Sequence, residues 1–128
     1  VVIVPDGYAP EFRLLNPGGQ IKGQDPTAPV ETLKSNWVNT SRIIYFGKAA
    51  RRSTNRGLNA RITEFLEFGE GRRVSHRGGR YVWQLAGSEN FFLGWLTLRR
   101  LEPRKFERSL LELFVRLHGR LPFANLSY

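Results

Sequence analysis

Five side chains in this sequence have the chemical type and the sequence neighbours that binding or catalysis on a charged substrate would require. Glu107 lies within the apolar arc of a predicted helix, where a carboxylate needs a cation or a metal ion beside it. Arg61 lies at the border of another apolar helix face, from which a guanidinium can grip a phosphate through two parallel hydrogen bonds. Tyr45 stands near Lys48 at the end of a predicted strand, and its hydroxyl could accept a proton if the cation lowers its pKa of about 10. His76, in a cationic loop, is a second candidate for accepting a proton or contacting a phosphate.

Each of these residues also has an ordinary structural explanation. Glu107 could form an ion pair with one of the many arginines, Arg61 could extend along the surface into solvent, and Tyr45 could serve packing alone. The chain has no cysteine and only two histidines, which lie far apart in the sequence. This composition argues against a zinc site, whereas hard-ion chemistry through one carboxylate and waters stays open.

Composition predicts one domain with an anionic partner. The chain has 128 residues, 41% of them apolar, and 20 Lys and Arg against 11 Asp and Glu, which gives a net charge of +9. Such an excess favours nucleic acid first and an anionic membrane surface second, because cationic side chains displace the counterions that condense on phosphates. The apolar stretches fall far short of the ~20 residues needed to span a bilayer, so we expect no membrane span and a cytoplasmic protein.

The first thirty residues differ in character from the rest of the chain. They hold five of the seven prolines and four glycines, which predicts an irregular arm over residues 1–30 with one short strand at residues 1–4. Residues 31–128 would then form the folded domain. Two β-prone runs, residues 34–38 and 42–46, flank the turn-forming Asn39-Thr40-Ser41 and predict a hairpin.

The remaining elements complete an α+β pattern. Leu58, Ile62, Phe65 and Leu66 have the spacing of one helical face, and Gly69 is placed to end that helix. A basic, glycine-rich loop follows over residues 69–79, and then two predicted strands over residues 80–85 and 91–98. A last helix begins near Pro103 and ends before Gly119. The predicted fold is a small sandwich of helices on a mostly antiparallel sheet.

Four short motifs in order resemble the GIY-YIG nuclease domain. The likeness spans about residues 34–125 and rests on Tyr45-Phe46-Gly47-Lys48-Ala49, then Leu58-Asn59-Ala60-Arg61, then Glu107-Arg108-Ser109-Leu110-Leu111, and finally Asn125.

The resemblance implies a fold and a reaction. The family has a small three-stranded mixed or antiparallel sheet flanked by helices, and its members hydrolyse phosphodiesters, usually of DNA, with a divalent metal ion. By this resemblance Glu107 would hold a single Mg²⁺ or Mn²⁺. Arg61 would bind a nonbridging phosphate oxygen, and Tyr45, assisted by Lys48, would accept a proton from the attacking water, with His76 as a substitute acceptor.

The resemblance also implies a DNA-binding surface and partners. DNA is the expected substrate, and a homodimer or a flanking specificity domain would supply target recognition. The residues expected to contact the nucleic acid are Arg51, Arg52, Arg56, Arg72, Arg73, Arg77, Arg80 and Asn125.

Three departures from the family pattern keep other functions open. Asn36-Trp37-Val38 stands where the family has Gly-Ile-Tyr, and Phe65 stands where many members have His or Tyr. Asn125 also lies farther beyond Glu107 than is usual in the family. A nuclease fold that binds nucleic acid without cutting it is therefore the alternative. A third hypothesis is a protein-interaction module in which Trp83, Trp95 and Phe92 form a contact patch, although such aromatics usually belong to a core.

Overall fold

Short strands are interspersed among helices of 4 to 16 residues along the chain. The computed structural model describes residues 1–20, 22–49, 57–74 and 78–128. Over these residues the elements are β1 (Val2–Ile3), α1 (Val30–Asn36), β2 (Ile43–Tyr45), α2 (Gly57–Gly69), α3 (Arg80–Trp83), a 3-10 turn (Ser88–Asn90), β3 (Phe92–Leu93) and α4 (Pro103–His118). None of the helices in the described ranges is long and apolar enough to cross a bilayer.

The sheet is built around the strand nearest the N-terminus. Its order is β2-β1-β3 and both pairings are antiparallel, so Val2 lies opposite Tyr45 on one side and Leu93 on the other. Val2 and Val4 are buried, each with 3% of its surface exposed. The α+β fold class is thus confirmed, and the short strand predicted at residues 1–4 is present as the middle strand of the sheet.

The predicted hairpin of residues 34–38 and 42–46 is wrong. Residues 30–36 form α1, and the partner of β2 is β1. Glu31 and Lys34 form an ion pair of 3.0 Å along α1, and this spacing supports a helical turn. Trp37, which follows α1, packs against Phe123 with ring centroids 5.3 Å apart. The tripeptide at residues 36–38 therefore lies outside the sheet.

The strand predicted over residues 80–85 is also wrong. Gly79 has φ 74°, a left-handed conformation that glycine tolerates, and the chain turns there into the short helix α3. Tyr81 and Val82 are buried in the core, which stabilises a helical turn made of β-prone residues. The strand predicted over residues 91–98 is present only at Phe92–Leu93.

Helices α2 and α4 lie where the sequence predicts them. α2 ends at Gly69, and α4 ends before Gly119, which has φ 77°. The sequence predicts an apolar face of α4 made of Phe106, Leu110, Leu113, Phe114 and Leu117. Phe114 is buried as that face requires, but Leu113 and Leu117 are 49% and 69% exposed, and Leu111, outside the predicted face, is buried instead. Leu111 and Phe114 follow Glu107 at i+4 and i+7, so that carboxylate lies on the buried side.

The C-terminal segment packs beside β2. Ala124 N–H donates to the Ile44 carbonyl oxygen at 2.8 Å, and Phe123 is 1% exposed. This segment therefore holds the outer edge of the strand that ends in Tyr45.

Candidate active site

Tyr45, Lys48, Arg61 and Glu107 converge at the junction of two cavities. One cavity is an elongated groove of about 900 Å³, and the other is a smaller, more polar cavity of about 660 Å³. All four residues line both, so they form the wall that the cavities share. Strand β2, helix α2 and helix α4 thus bring together four of the five residues predicted to be catalytic.

Glu107 and Lys48 form an ion pair in this shared wall, between Lys48 Nζ and Glu107 Oε2. The side chain of Glu107 is 11% exposed and that of Lys48 is 39% exposed. The sequence left open an ion pair between Glu107 and an arginine. Glu107 does form an ion pair, but its partner is Lys48, which belongs to the same site. Because Lys48 is partly open to solvent, its ammonium can leave the carboxylate without breaking the core.

The Arg61 guanidinium lies beside the Tyr45 hydroxyl, since both groups come within 4 Å of the position that a Cβ on Gly78 would occupy. Burial raises the pKa of the Tyr45 hydroxyl above its ordinary value, and the Arg61 guanidinium only partly opposes that shift. The expectation that the pKa of Tyr45 falls below its ordinary value is therefore wrong, because burial outweighs the effect of the nearby cation. At neutral pH the phenol keeps its proton and can orient a water or a phosphate oxygen.

Arg61 has a second contact on its own helix. Its Nη1 lies 3.5 Å from Glu64 Oε2, one turn further along α2, and its side chain is 29% exposed. The guanidinium thus lies between a phenol and a carboxylate, and the carboxylate restrains it. Such restraint reduces the entropy lost when the group grips an anion.

Two neighbours that the sequence analysis did not assign to the site enclose Tyr45. The Phe65 ring is stacked on the Tyr45 ring, with centroids 6.3 Å apart and planes within 7° of each other. A Cβ at Gly78 would collide with the Tyr45 hydroxyl, so only glycine fits there without a shift. The helical spacing of Arg61 and Phe65 was the signal that could have placed Phe65 here. An apolar ring cannot exchange protons, so Phe65 contributes packing.

Asn125 holds the chain that follows Tyr45. Its Nδ2 donates to the Phe46 carbonyl oxygen and its Oδ1 accepts from the Phe46 N–H, both at 2.9 Å. Both ends of the amide are thus engaged by the protein, although Asn125 was expected to contact nucleic acid. The structure gives it a positioning role for the Tyr45 to Lys48 turn.

Only part of the predicted basic surface adjoins this site. Arg80 lines the smaller cavity, and its Nε is buried without a hydrogen-bond partner in the described part of the chain. Arg72 lies outside both cavities and pairs with Glu67 and Glu70, each at 3.3 Å. Arg73 is exposed and also lies outside the cavities. Outside the described residues lie Arg51, Arg52, Arg56, His76 and Arg77.

The donor set restricts how a metal ion could bind. Among the described residues no three His, Asp or Glu side chains cluster in a metal-binding arrangement, and Glu107 is the one carboxylate lining the two cavities there. The Lys48 ammonium already shows that this carboxylate accepts a cation. Glu107 therefore fits a Mg²⁺ or Mn²⁺ that takes its other ligands from water and a substrate phosphate.

Comparison of the chain with family models, with curated proteins and with solved structures gives no match. The function of the chain is therefore inferred from the geometry of the shared wall.

Proposed function

We propose that this chain is an endonuclease that hydrolyses phosphodiesters of DNA with one Mg²⁺ or Mn²⁺ ion, as its resemblance to GIY-YIG nucleases implies. The observation that carries the proposal is the convergence of Tyr45, Arg61 and Glu107 on one wall between two open cavities. Lys48 and Arg80 add positive charge around the one acid. A cavity with this balance of charge favours an anionic substrate.

Arg61 is the group that would bind the scissile phosphate. It is paired with Glu64 and lies beside Tyr45, so its other N–H groups are already oriented when the substrate arrives. Donors fixed in advance stabilise the negative charge that grows on the phosphate oxygens in the transition state. Lys48, once released from Glu107, would add a second positive charge.

Glu107 would hold the divalent cation in place of Lys48. When bound there, the cation neutralises charge on the scissile phosphate and on the leaving oxygen. The Tyr45 hydroxyl, which lies beside Arg61, would orient the attacking water by accepting a hydrogen bond from it. Because the pKa of Tyr45 is raised, a role as proton acceptor requires the rate to increase toward alkaline pH.

The partner and setting of this activity complete the proposal. DNA is the substrate, the cytoplasm is the place of action, and a second copy or a flanking domain would supply target recognition. The alternative is a protein that binds nucleic acid without cutting it. The apolar Phe65 stacked on Tyr45 favours this alternative, because a ring that cannot titrate occupies that face of the phenol.

A plasmid-nicking assay on matched variants of α4 tests the proposal. Wild-type protein should nick supercoiled plasmid with Mg²⁺ or Mn²⁺ and stop with EDTA. Glu107→Gln keeps the shape of the side chain but removes its charge, and should lower the rate by a factor of about 100 or more. Glu112→Gln is the control, because Glu112 lies on the same helix, is 50% exposed and pairs with Arg108.

The outcomes separate the two functions. Equal nicking by wild type and Glu107→Gln would remove the hydrolytic assignment. Plasmid that is shifted in a gel but never nicked with either metal would select the binding protein instead.

A further inference from the structure

Much of the lining of the larger cavity is apolar, and these apolar side chains have no role in the proposed hydrolysis. It runs from the shared wall between α2, α4 and the segment after β3, and its lining includes Leu58, Ile62, Leu93, Trp95, Phe106 and Leu110. The segment after β3 exposes large apolar side chains, with Trp95 67%, Leu96 65% and Leu101 59% accessible. These three side chains line the groove, and exposed apolar side chains gathered along one groove are typical of a binding site.

The ligand of this groove must match both its apolar lining and the charged residues at its end. The groove opens onto Arg61, Lys48 and Glu107, and Arg99 lies in its wall. Its occupant should therefore carry an anionic group beside an apolar body. A nucleotide whose base has no partner meets this requirement, because it joins a phosphate to a flat apolar ring.

We propose that this groove binds unpaired nucleobases next to the scissile phosphate, so that the substrate is a strand with single-stranded character at the cleavage point. This inference rests on the proposed function, because it places the scissile phosphate at the shared wall. A duplex presents phosphates, sugars and base edges in its grooves, and the faces of its bases are hidden in the stack. Only an unpaired base can lay its face against Trp95.

Stacking on Trp95 sets the size of the expected effect. Contact between a base and an aromatic ring contributes about 1–3 kcal/mol per base, which corresponds to a factor of roughly 5 to 150 in affinity. Trp95 is well suited to test this, because its exposure means that replacement leaves the core intact. Phe92 is a matched control, since it is 58% exposed on β3, three residues before Trp95, but does not line the groove.

The experiment measures binding of the full chain to fluorescent oligonucleotides in EDTA, by anisotropy, where no cleavage occurs. The probes are a single strand, the same strand fully paired, and a duplex with an unpaired flap. Wild-type protein should prefer the single strand and the flap. Trp95→Ala should lose affinity for both by the factor given above and keep its affinity for the duplex, whereas Phe92→Ala should resemble wild type.

Conservative variants separate stacking from general apolar contact. Trp95→Phe keeps an aromatic face and should retain most of the affinity, but Trp95→Leu keeps only the apolar surface and should behave like Trp95→Ala. Equal loss on single strand and duplex, or no loss on either, would overturn the inference. So would an altered sedimentation of Trp95→Ala with unchanged oligonucleotide binding, because that result assigns the groove to a protein partner or a second copy.

Failure of this inference is distinguishable from failure of the proposed function. If Glu107→Gln abolishes nicking but Trp95→Ala shows no selective loss of affinity for unpaired strands, the hydrolytic function is supported and the base-binding groove is excluded. If Trp95→Ala loses single-strand affinity but no variant or metal affects cleavage, the groove stands and hydrolysis falls.

Discussion

The side-chain amide of Asn125 is hydrogen-bonded to both polar groups of the Phe46 backbone, as donor to the carbonyl and as acceptor from the N–H. These two bonds pair the backbone of Phe46 in the way that a neighbouring strand would pair a residue at the edge of a sheet. It fixes the chain between Tyr45, at the end of β2, and Lys48, whose ammonium contacts Glu107. The C-terminus of the chain is thereby coupled to the shared wall of the two cavities.

Asn125→Ala should destabilise the fold and lower the nicking rate together. It leaves the N–H and carbonyl of Phe46 without a protein partner, which we expect to lower the free energy of unfolding by about 1–3 kcal/mol. Urea denaturation measures that change, and Asn90→Ala, at an exposed position, is the control. If Asn125→Ala unfolds at the same urea concentration as wild type, Asn125 does not hold this turn.

Gly78→Ala should damage the site through Tyr45. The added methyl group would meet the Tyr45 hydroxyl, so we expect a nicking rate lowered about tenfold or more and a loss of about 1–3 kcal/mol in stability. The double variant Gly78→Ala/Tyr45→Phe removes the oxygen that collides. Gly78→Ala should therefore cost less stability in the Tyr45→Phe protein than in wild type, and equal costs in both backgrounds would contradict the contact.

Tyr45 should contribute to stability below its ordinary pKa and lose that contribution at alkaline pH. Its pKa is raised in the folded chain, so the unfolded chain releases the proton first as the pH passes about 10. Stability should then decrease with increasing pH, because the unfolded state binds fewer protons than the folded state. Urea denaturation of wild type and Tyr45→Phe between about pH 8 and about pH 11 measures this slope.

Tyr45→Phe should flatten the alkaline decline without abolishing it. Burial also raises the pKa of Tyr8, whose hydroxyl donates to the Ala86 carbonyl oxygen at 2.8 Å, so a second contribution remains. Tyr8→Phe should remove that part. Identical pH slopes in wild type and Tyr45→Phe would show that the phenol is not buried as described.

Gln84 should be among the most costly polar residues to replace. It is fully buried, its Oε1 accepts from Ala28 N–H at 2.9 Å, and its Nε2 donates to the carbonyl oxygens of Ala28 and Arg13 at 2.7 and 3.0 Å. Gln84→Leu leaves three backbone groups without partners, and we expect a loss of roughly 2–4 kcal/mol. Thermal or urea unfolding measures it against Gln20→Leu, at an exposed position. Equal midpoints for the two variants would exclude this role.

Helical periodicity was sufficient to place the groups on α2 and α4. The apolar spacing that begins at Leu58 defines α2 and puts Arg61 at the edge of its buried face. The same helical periodicity places Glu107 on the buried face of α4, and its side chain is 11% exposed. Period is a property of the sequence itself, so these positions follow without knowledge of tertiary contacts.

The pairing of the strands and the pKa of Tyr45 depend on tertiary contacts that cannot be predicted from the sequence pattern. β1 has only two residues, too few for an alternating pattern, and its partners lie far along the chain. Residues 80–83 have β-prone side chains, yet the burial of Tyr81 and Val82 stabilises a helix. The pKa of Tyr45 was expected to fall beside a cation, but Phe65 and Gly78 enclose the ring and burial dominates.

The position of β1 in the middle of the sheet also affects how the chain is made. Val2 pairs with Tyr45 and with Leu93, so the ribosome releases the central strand before either edge strand. Until translation reaches β3, at least one hydrogen-bonding side of β1 has no native partner and is open to wrong pairings. Assembly of the sheet must therefore wait for most of the chain, and slow folding with a need for protection during synthesis is the expected result.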